Sequence, residues 1–214
     1  LLLPPWQRLD DAALLAHYRG PREVRFEPVV DPEEIRPERI EGLLHGRFEF
    51  NGETHVLPEP LAWLANPSAD VEWHILLHKF YYASGLALAW QRSGEARYVQ
   101  RWAELVDGWM RIVPPGFIAA DVTGRRVQNW IYSLHGLVMH GRPGEPAPID
   151  PALFRRVLHS IHEQVEFLCT NLTPKRNHRT LELLAVFLAG VVFPEFEQAA
   201  AWREFALRET LANL

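Results

Sequence analysis

The feature that most constrains this chain is a helical register that begins at Asp70 and is cut into pieces by glycine and proline. Val71 to Gln91 carries apolar residues at helical spacing and stops at Ser93-Gly94. A second stretch runs from Glu95 to Ile112 and is ended by Pro114-Pro115-Gly116. A third, from about Thr123 to Met139, is closed by the segment Gly141 to Pro148. A fourth opens with Asp150 as N-cap and Pro151 in the first helical position, where the missing N–H has no partner to lose, and ends near Thr170. A fifth spans His178 to Val192, and a sixth follows Phe193-Pro194 from Glu195 onward. Leu181, Leu184, Val186, Leu188, Val191 and Val192 leave the fifth apolar nearly all round, which predicts a buried helix. Helices punctuated in this way predict an all-α fold of antiparallel hairpins. No tetratricopeptide or ankyrin motif recurs, so the array is a solenoid or an (α/α) toroid. Aromatic and cationic residues at corresponding helix starts favour an incomplete toroid.

Residues 1–69 read as a leader to the helical domain of residues 70–214. A short amphipathic helix is expected over Trp6 to Tyr18, stopping at Gly20-Pro21, followed by Pro-rich charged turns. Arg47-Phe48-Glu49-Phe50 and Thr54-His55-Val56-Leu57 alternate around Asn51-Gly52, the strongest short signal for a β-hairpin. The opening Leu1-Leu2-Leu3-Pro4-Pro5 has neither a basic segment nor a cleavage site, and no initiator Met, so the chain is expected to be a piece of a longer protein.

Composition enters mainly as exclusion. A chain of 214 residues that is 48% hydrophobic and 23% charged is ordinary for a globular fold and argues against disorder. A formal net charge of −5 argues against a general nucleic-acid binder while leaving room for a local basic cleft. The single cysteine, Cys169, cannot form an internal disulfide and reads as a buried structural thiol. No apolar run approaches the roughly 18 to 20 residues of a membrane helix. No Gly-rich phosphate loop, nucleophile elbow or paired-cysteine cluster occurs, so no cofactor is expected.

Two constellations remain. His74 and His78 lie at i and i+4, a metal-ligand spacing, but His-Ile-Leu-Leu-His lacks the Glu of a zinc protease and a third ligand cannot be named. No metal is therefore expected; His78 is placed on a cleft face beside Trp73, and His74 in ordinary packing. The second constellation is a pair of basic helix openings, Gly124-Arg125-Arg126-Val127-Gln128-Asn129-Trp130 and Lys175-Arg176-Asn177-His178-Arg179. In an array of hairpins, alternate helices start on the same rim, so both should face one mouth and form an anion site. Asn177 is either an N-cap or, with His178, a donor pair converging on a substrate carboxylate. Neutralising a carboxylate acidifies the neighbouring carbon, which is what β-elimination on a uronic acid requires.

These residues resemble the heparinase II/III-like polysaccharide lyases, related to alginate lyases, in their N-terminal helical domain. Glu72-Trp73, His78 and Gly85-Leu86-Ala87-Leu88-Ala89-Trp90 look like the first toroid helix, and Ser93-Gly94-Glu95-Ala96-Arg97-Tyr98 like its closing turn. Gly124 to Trp130 is similar to the family's "GLRLQNW" helix. Asn177-His178, Gly190, Phe193-Pro194-Glu195 and Trp202 follow its "NNH…G…FPE…W" course, with Arg176 where the family has its first Asn. The resemblance covers about residues 70–214. It implies a toroid that binds an acidic polysaccharide in a groove and cleaves it by β-elimination, with Asn177 and His178 neutralising the uronate. Further substrate contacts are expected at Trp73, His78, Arg126, Asn129, Trp130, Arg176 and Arg179, the tryptophans stacking on sugar rings; for Trp73, Trp130 and Arg126 a place in the core is the alternative. A catalytic Tyr and a further His from a C-terminal β-sandwich would lie beyond Leu214, leaving this piece inactive alone, and the family suggests export to the periplasm or the exterior. Two alternatives stand beside it. One is a non-catalytic anionic-glycan-binding or scaffold domain of an exopolysaccharide system; the other is an (α/α) glycosidase using Glu72 and Asp121.

Overall fold

The computed structural model describes every residue except Arg25, Pro115, Pro143 and Lys175. Helix α1 (Asp11–Arg19) is capped by the Asp10 carboxylate, which accepts from Ala13 N at 2.7 Å, and it stops at Gly20. The residues before it, Trp6–Arg8, form a separate 3-10 turn, so the single helix expected over Trp6 to Tyr18 is divided at Leu9-Asp10, where the cap is formed. A 3-10 turn over Pro32–Ile35 leads to α2 (Pro37–Leu44). The hairpin forms as expected, β1 (Arg47–Phe50) pairing antiparallel with β2 (Glu53–Val56) around Asn51-Gly52, both at positive φ.

The first long helix is not continuous. It breaks at Phe80 into α3 (Val71–Lys79) and α4 (Tyr81–Ser93), with Phe80 in the left-handed region at φ 58°. For a bulky residue that conformation costs on the order of 1–2 kcal/mol. The offset is aromatic packing: Phe80 is fully buried, stacked on Trp63 at 5.5 Å and edge-on to Trp130 at 5.5 Å. The carbonyls freed at the end of α3 are taken up by side chains, Leu77 by Tyr82 Oη, His78 by Arg126 Nη1 and Lys79 by Asn129 Nδ2.

Five further helices complete the described elements. They are α5 (Ala96–Ile112), α6 (Ala120–Leu134), α7 (Pro151–Thr170), α8 (Asn177–Val192) and α9 (Ala199–Asn213). Helix α6 widens into a π turn over His135–Met139 before it ends. Asp150 caps α7 as expected, accepting from Leu153 N at 2.9 Å. The last helix starts later than Glu195, because Phe196 first pairs with Leu2 in a β-bridge. Of the stops and basic openings named above, Pro115, Pro143 and Lys175 lie outside the described residues.

The helices form two layers. Helices α4, α6 and α8 are neighbours in an inner layer, and α5, α7 and α9 pack behind them. Two glycines permit close approaches between these long helices. A Cβ on Gly124 would stand 3.1 Å from Glu182 Cα, where α6 meets α8, and one on Gly190 would stand 2.7 Å from Ala199 O, where α8 meets α9. The N-terminal segment wraps this array and shares its core. Tyr18, Phe48, Phe50 and Trp63 are buried in the same cluster as Trp102, Trp130 and Phe193. Glu195, 2% exposed, is held by Arg22 at 2.7 Å and His17 at 2.8 Å.

Candidate functional site

The first turns of α6 and α8 lie side by side, as the two basic openings led us to expect, and His178 Nδ1 is 2.9 Å from Asp121 Oδ2. An ionised carboxylate only accepts, so the ring proton sits on Nδ1 and Nε2 faces outward, a lone pair when the ring is neutral and a donor when it is charged. The His178 side chain is 65% exposed, whereas Asp121 is 14% exposed and fixed in the first helical turn. Asp121, assigned above to a glycosidase, is thus engaged by the imidazole.

Asn177 is not an N-cap. It is the first residue of α8; the cap position is Arg176, at φ 74°, which offers no side-chain cap. Among the described residues no hydrogen bond holds the Asn177 amide, which is exposed beside His178. The strained turn beneath it is clamped. Arg176 N donates to Asn213 Oδ1 at 3.0 Å, and the buried Glu182 accepts from Thr173 N at 2.8 Å and Thr173 Oγ1 at 2.5 Å.

From Asp121 a polar stripe runs along α6. Residues 121, 125, 128 and 132 recur at i, i+4, i+7 and i+11 and so share one face. Arg125 Nη1 donates to Gln128 Oε1 at 2.8 Å, and Gln128 Nε2 donates to Tyr132 Oη at 2.8 Å. Arg125, Gln128 and Tyr132, with Tyr81, Ser84 and Asn129 and with Asp31 and Glu34 from the N-terminal segment, line a cavity of about 480 Å³ on the inner layer. Burial raises the Glu34 carboxyl above its ordinary pKa, the opposing Arg39 at 3.1 Å notwithstanding. Of this stripe the sequence named Asp121 only as a glycosidase acid and Arg125 only within a basic helix opening expected to bind anions, and it singled out neither Gln128 nor Tyr132; the i, i+4, i+7, i+11 recurrence is the signal that identifies the stripe.

Other expected contacts lie elsewhere. Trp73 and Trp130 are both 0% exposed: Trp73 packs on Phe50 and His55 to hold the hairpin, and Trp130 is edge-on to Phe80 and Trp109. Neither has a face open to a sugar ring. Arg126 is 4% exposed and lies about 140° round α6 from Asp121, toward the outer layer. Arg179 is turned to α9, where it pairs with Glu209 at 2.5 Å. Asn129 remains at the cavity wall with its amide nitrogen given to Lys79 O at 2.8 Å, and Arg176 stays exposed at the rim.

His78 is fully buried rather than on a cleft face. The indole N–H of Trp109 donates to its Nδ1 at 3.0 Å, which leaves the ring proton on Nε2, donated to Trp63 O at 2.9 Å. His74 Nε2 stands 3.1 Å from His78 Nε2, yet His78 has no lone pair there for a metal. Burial, with Arg126 and His74 nearby, lowers its pKa to about 3. Cys169 is half-buried, and desolvation, helped by Glu166, pushes its pKa up to about 12, so it stays a thiol.

The profile of the heparinase II/III N-terminus matches residues 8–213, which takes in most of the segment before Asp70 as well as the helices. The chain belongs to this family. A heparin-sulfate lyase of Pedobacter heparinus is 28% identical over 224 residues, covering 91% of this chain and 32% of that protein. A heparin-sulfate lyase of Bacteroides stercoris is 24% identical, over 90% of this chain and 33% of its own length. The chain thus spans about a third of these relatives. Among solved structures, the heparan sulfate lyase HepC from Pedobacter heparinus superposes with a TM-score of 0.78 at 24% identity, over 94% of this chain and 34% of that one. The heparinase III BT4657 gene product gives 0.80 at 20% identity, over 94% and 35%. These likenesses establish the fold as that of the family's incomplete (α/α) toroid.

Proposed function

We propose that this chain is the helical, substrate-binding part of a polysaccharide lyase that cleaves uronic-acid-containing glycans of the heparan sulfate class by β-elimination. The observation that carries this reading is the juxtaposition at the rim: the exposed Asn177 amide beside His178, whose ring Asp121 orients, at the head of the polar stripe on α6. Asn177 donates to the uronate carboxylate, and His178 in its charged form adds a second, charge-assisted donor through Nε2. Spreading the carboxylate charge onto these donors stabilises the enolate-like transition state formed when the C5 proton leaves. Arg176 steers the anionic chain toward the rim, and Arg125 and Gln128 contact sugar along the stripe. The catalytic Tyr and the second His that the family resemblance implies are supplied by the rest of the longer protein, and the glycan is met in the periplasm or outside the cell. Family membership and the lyase relatives support this assignment.

The test is to titrate the chain with a heparan sulfate oligosaccharide and with the same oligosaccharide after its carboxylates are reduced to alcohols. The uronate form is expected to bind about tenfold more tightly, the worth of roughly one charge-assisted hydrogen bond. Asn177→Ala and His178→Ala should each shrink that preference. Equal affinity for both forms, or variants that keep the preference, would return the chain to a scaffold or a general glycan-binding role.

A further inference from the structure

On the face of α6 opposite the stripe, a second cavity of about 110 Å³ opens between α5, α6 and α7. In the same measure roughly 10–15 Å³ suffices for one water, so there is room for a small polyatomic ion. Its walls are Trp109, Met110, Val113 and Phe167, and its floor is the Arg126 guanidinium.

Arg126 is a buried cation among neutral partners. Nε donates to Gln164 Oε1 at 2.7 Å, Nη1 to His78 O at 3.2 Å and Nη2 to Thr123 Oγ1 at 3.1 Å, while the guanidinium lies 3.9 Å from the centre of the Trp109 ring. A guanidinium carries five N–H groups, so two are left without these acceptors. Among the described residues no carboxylate comes within ion-pair distance of it. Glu163, the one acid on the cavity, sits at the mouth with a 65% exposed side chain, 3.8 Å from His159. A charge this deeply buried is strongly disfavoured unless paired, and burial alone draws the Arg126 pKa down to about 9. The neighbouring hydroxyls add donors. Thr123 Oγ1 already accepts from Arg126, and Ser160 Oγ accepts from Gln164 Nε2 at 3.2 Å, so each has its own O–H to give.

We propose that this cavity binds a small oxyanion, of sulfate or carboxylate size, on Arg126 with Thr123 and Ser160. The bound anion neutralises the guanidinium and ties the outer helices α5 and α7 to α6. The site is separate from the rim of Asn177 and His178, and it stands whether or not the rim acts on uronates. Its occupant is either a free inorganic ion or the acidic group of a glycan lying across the outer layer.

Calorimetric titration with sodium sulfate against sodium chloride at constant ionic strength tests this. A binding heat is the readout because sulfate raises thermal stability non-specifically. The intact chain is expected to show saturable binding of one sulfate. Thr123→Val and Ser160→Ala, which keep Arg126 in place, should each weaken it at least about threefold, and Glu163→Gln, which removes a like charge from the mouth, should strengthen it. Arg126→Met should abolish it; if that variant does not fold, the other three carry the test. Competition by a sulfated disaccharide would identify the glycan as the source, and its absence a free ion, both consistent with the site. No saturable heat, or an affinity unchanged in Thr123→Val and Ser160→Ala, would overturn the proposal.

Discussion

At the scale of single residues, burial decides what each polar group can do. His78 and His178 are chemically identical, but the first is enclosed with its Nδ1 accepting from Trp109, and the second is two-thirds exposed against Asp121. The consequence for His78 is a dependence of stability on pH. Its folded pKa of about 3 lies below the ordinary 6.5, so below pH 6.5 the unfolded chain binds a proton that the folded chain does not. The stabilisation is complete above about pH 6.5 and is lost as pH falls toward 3. His135, lowered to about 4 mainly by burial, acts in the same direction. Between pH 7 and pH 5 His78 should contribute a loss of about 2 kcal/mol. Urea unfolding at the two pH values should therefore show a smaller drop for His78→Gln than for the unaltered chain. An equal drop in both would contradict the assigned burial.

At the scale of elements, close approaches set the arrangement of helices. Gly85 on α4 faces the turn Pro32–Ile35, and a Cβ there would stand 2.4 Å from both Glu34 O and Ile40 Cδ1. Gly85→Ala should therefore dislodge that turn from α4, destabilise the chain by on the order of 1–3 kcal/mol as overpacking does, and make the Asp31–Glu34 segment a preferred site of limited proteolysis. A variant as stable and as resistant as the parent would show that the turn is not docked there. The helix ends were legible in the sequence because their causes are local: Gly94 ends α4 at φ 75°, and Asp150 caps α7 with its own side chain. The break at Phe80 was not legible, because the packing against Trp63 and Trp130 that sustains its backbone comes from distant segments. The same limit explains the site. Periodicity shows that Arg126 and Trp130 share a face of α6, and that Asp121, Arg125 and Gln128 share another. Which of the two faces meets the outer layer depends on α5 and α7, and of the groove and core positions open to Arg126 and Trp130 in the sequence, the structure gives both residues buried ones.

At the scale of the whole molecule, the N-terminal segment and the helices are joined by buried charge as well as by apolar packing. Arg22 Nη2 points one N–H at the Glu195 carboxylate, 2.7 Å from each oxygen, and the other at Val192 O at 2.8 Å, while Nε donates to Glu195 Oε1 at 3.1 Å. Removing one member of such a pair leaves the other buried and uncompensated, typically at a cost of about 3–5 kcal/mol. Glu195→Gln should lower the unfolding midpoint sharply while keeping a single transition that far- and near-ultraviolet circular dichroism follow together. Two separated transitions would mean that residues 1–69 fold apart from the helices.

The central proposal is that Asn177 and His178 act on a uronate in β-elimination, and the most direct measurement is the product formed by the longer lyase of which this chain is proposed to be a part. With heparan sulfate it should release an unsaturated uronate, seen as new ultraviolet absorbance, and Asn177→Ala should lower kcat/KM by about 100-fold or more. Retained activity in Asn177→Ala, or a saturated reducing-end product without the absorbance, would contradict the account.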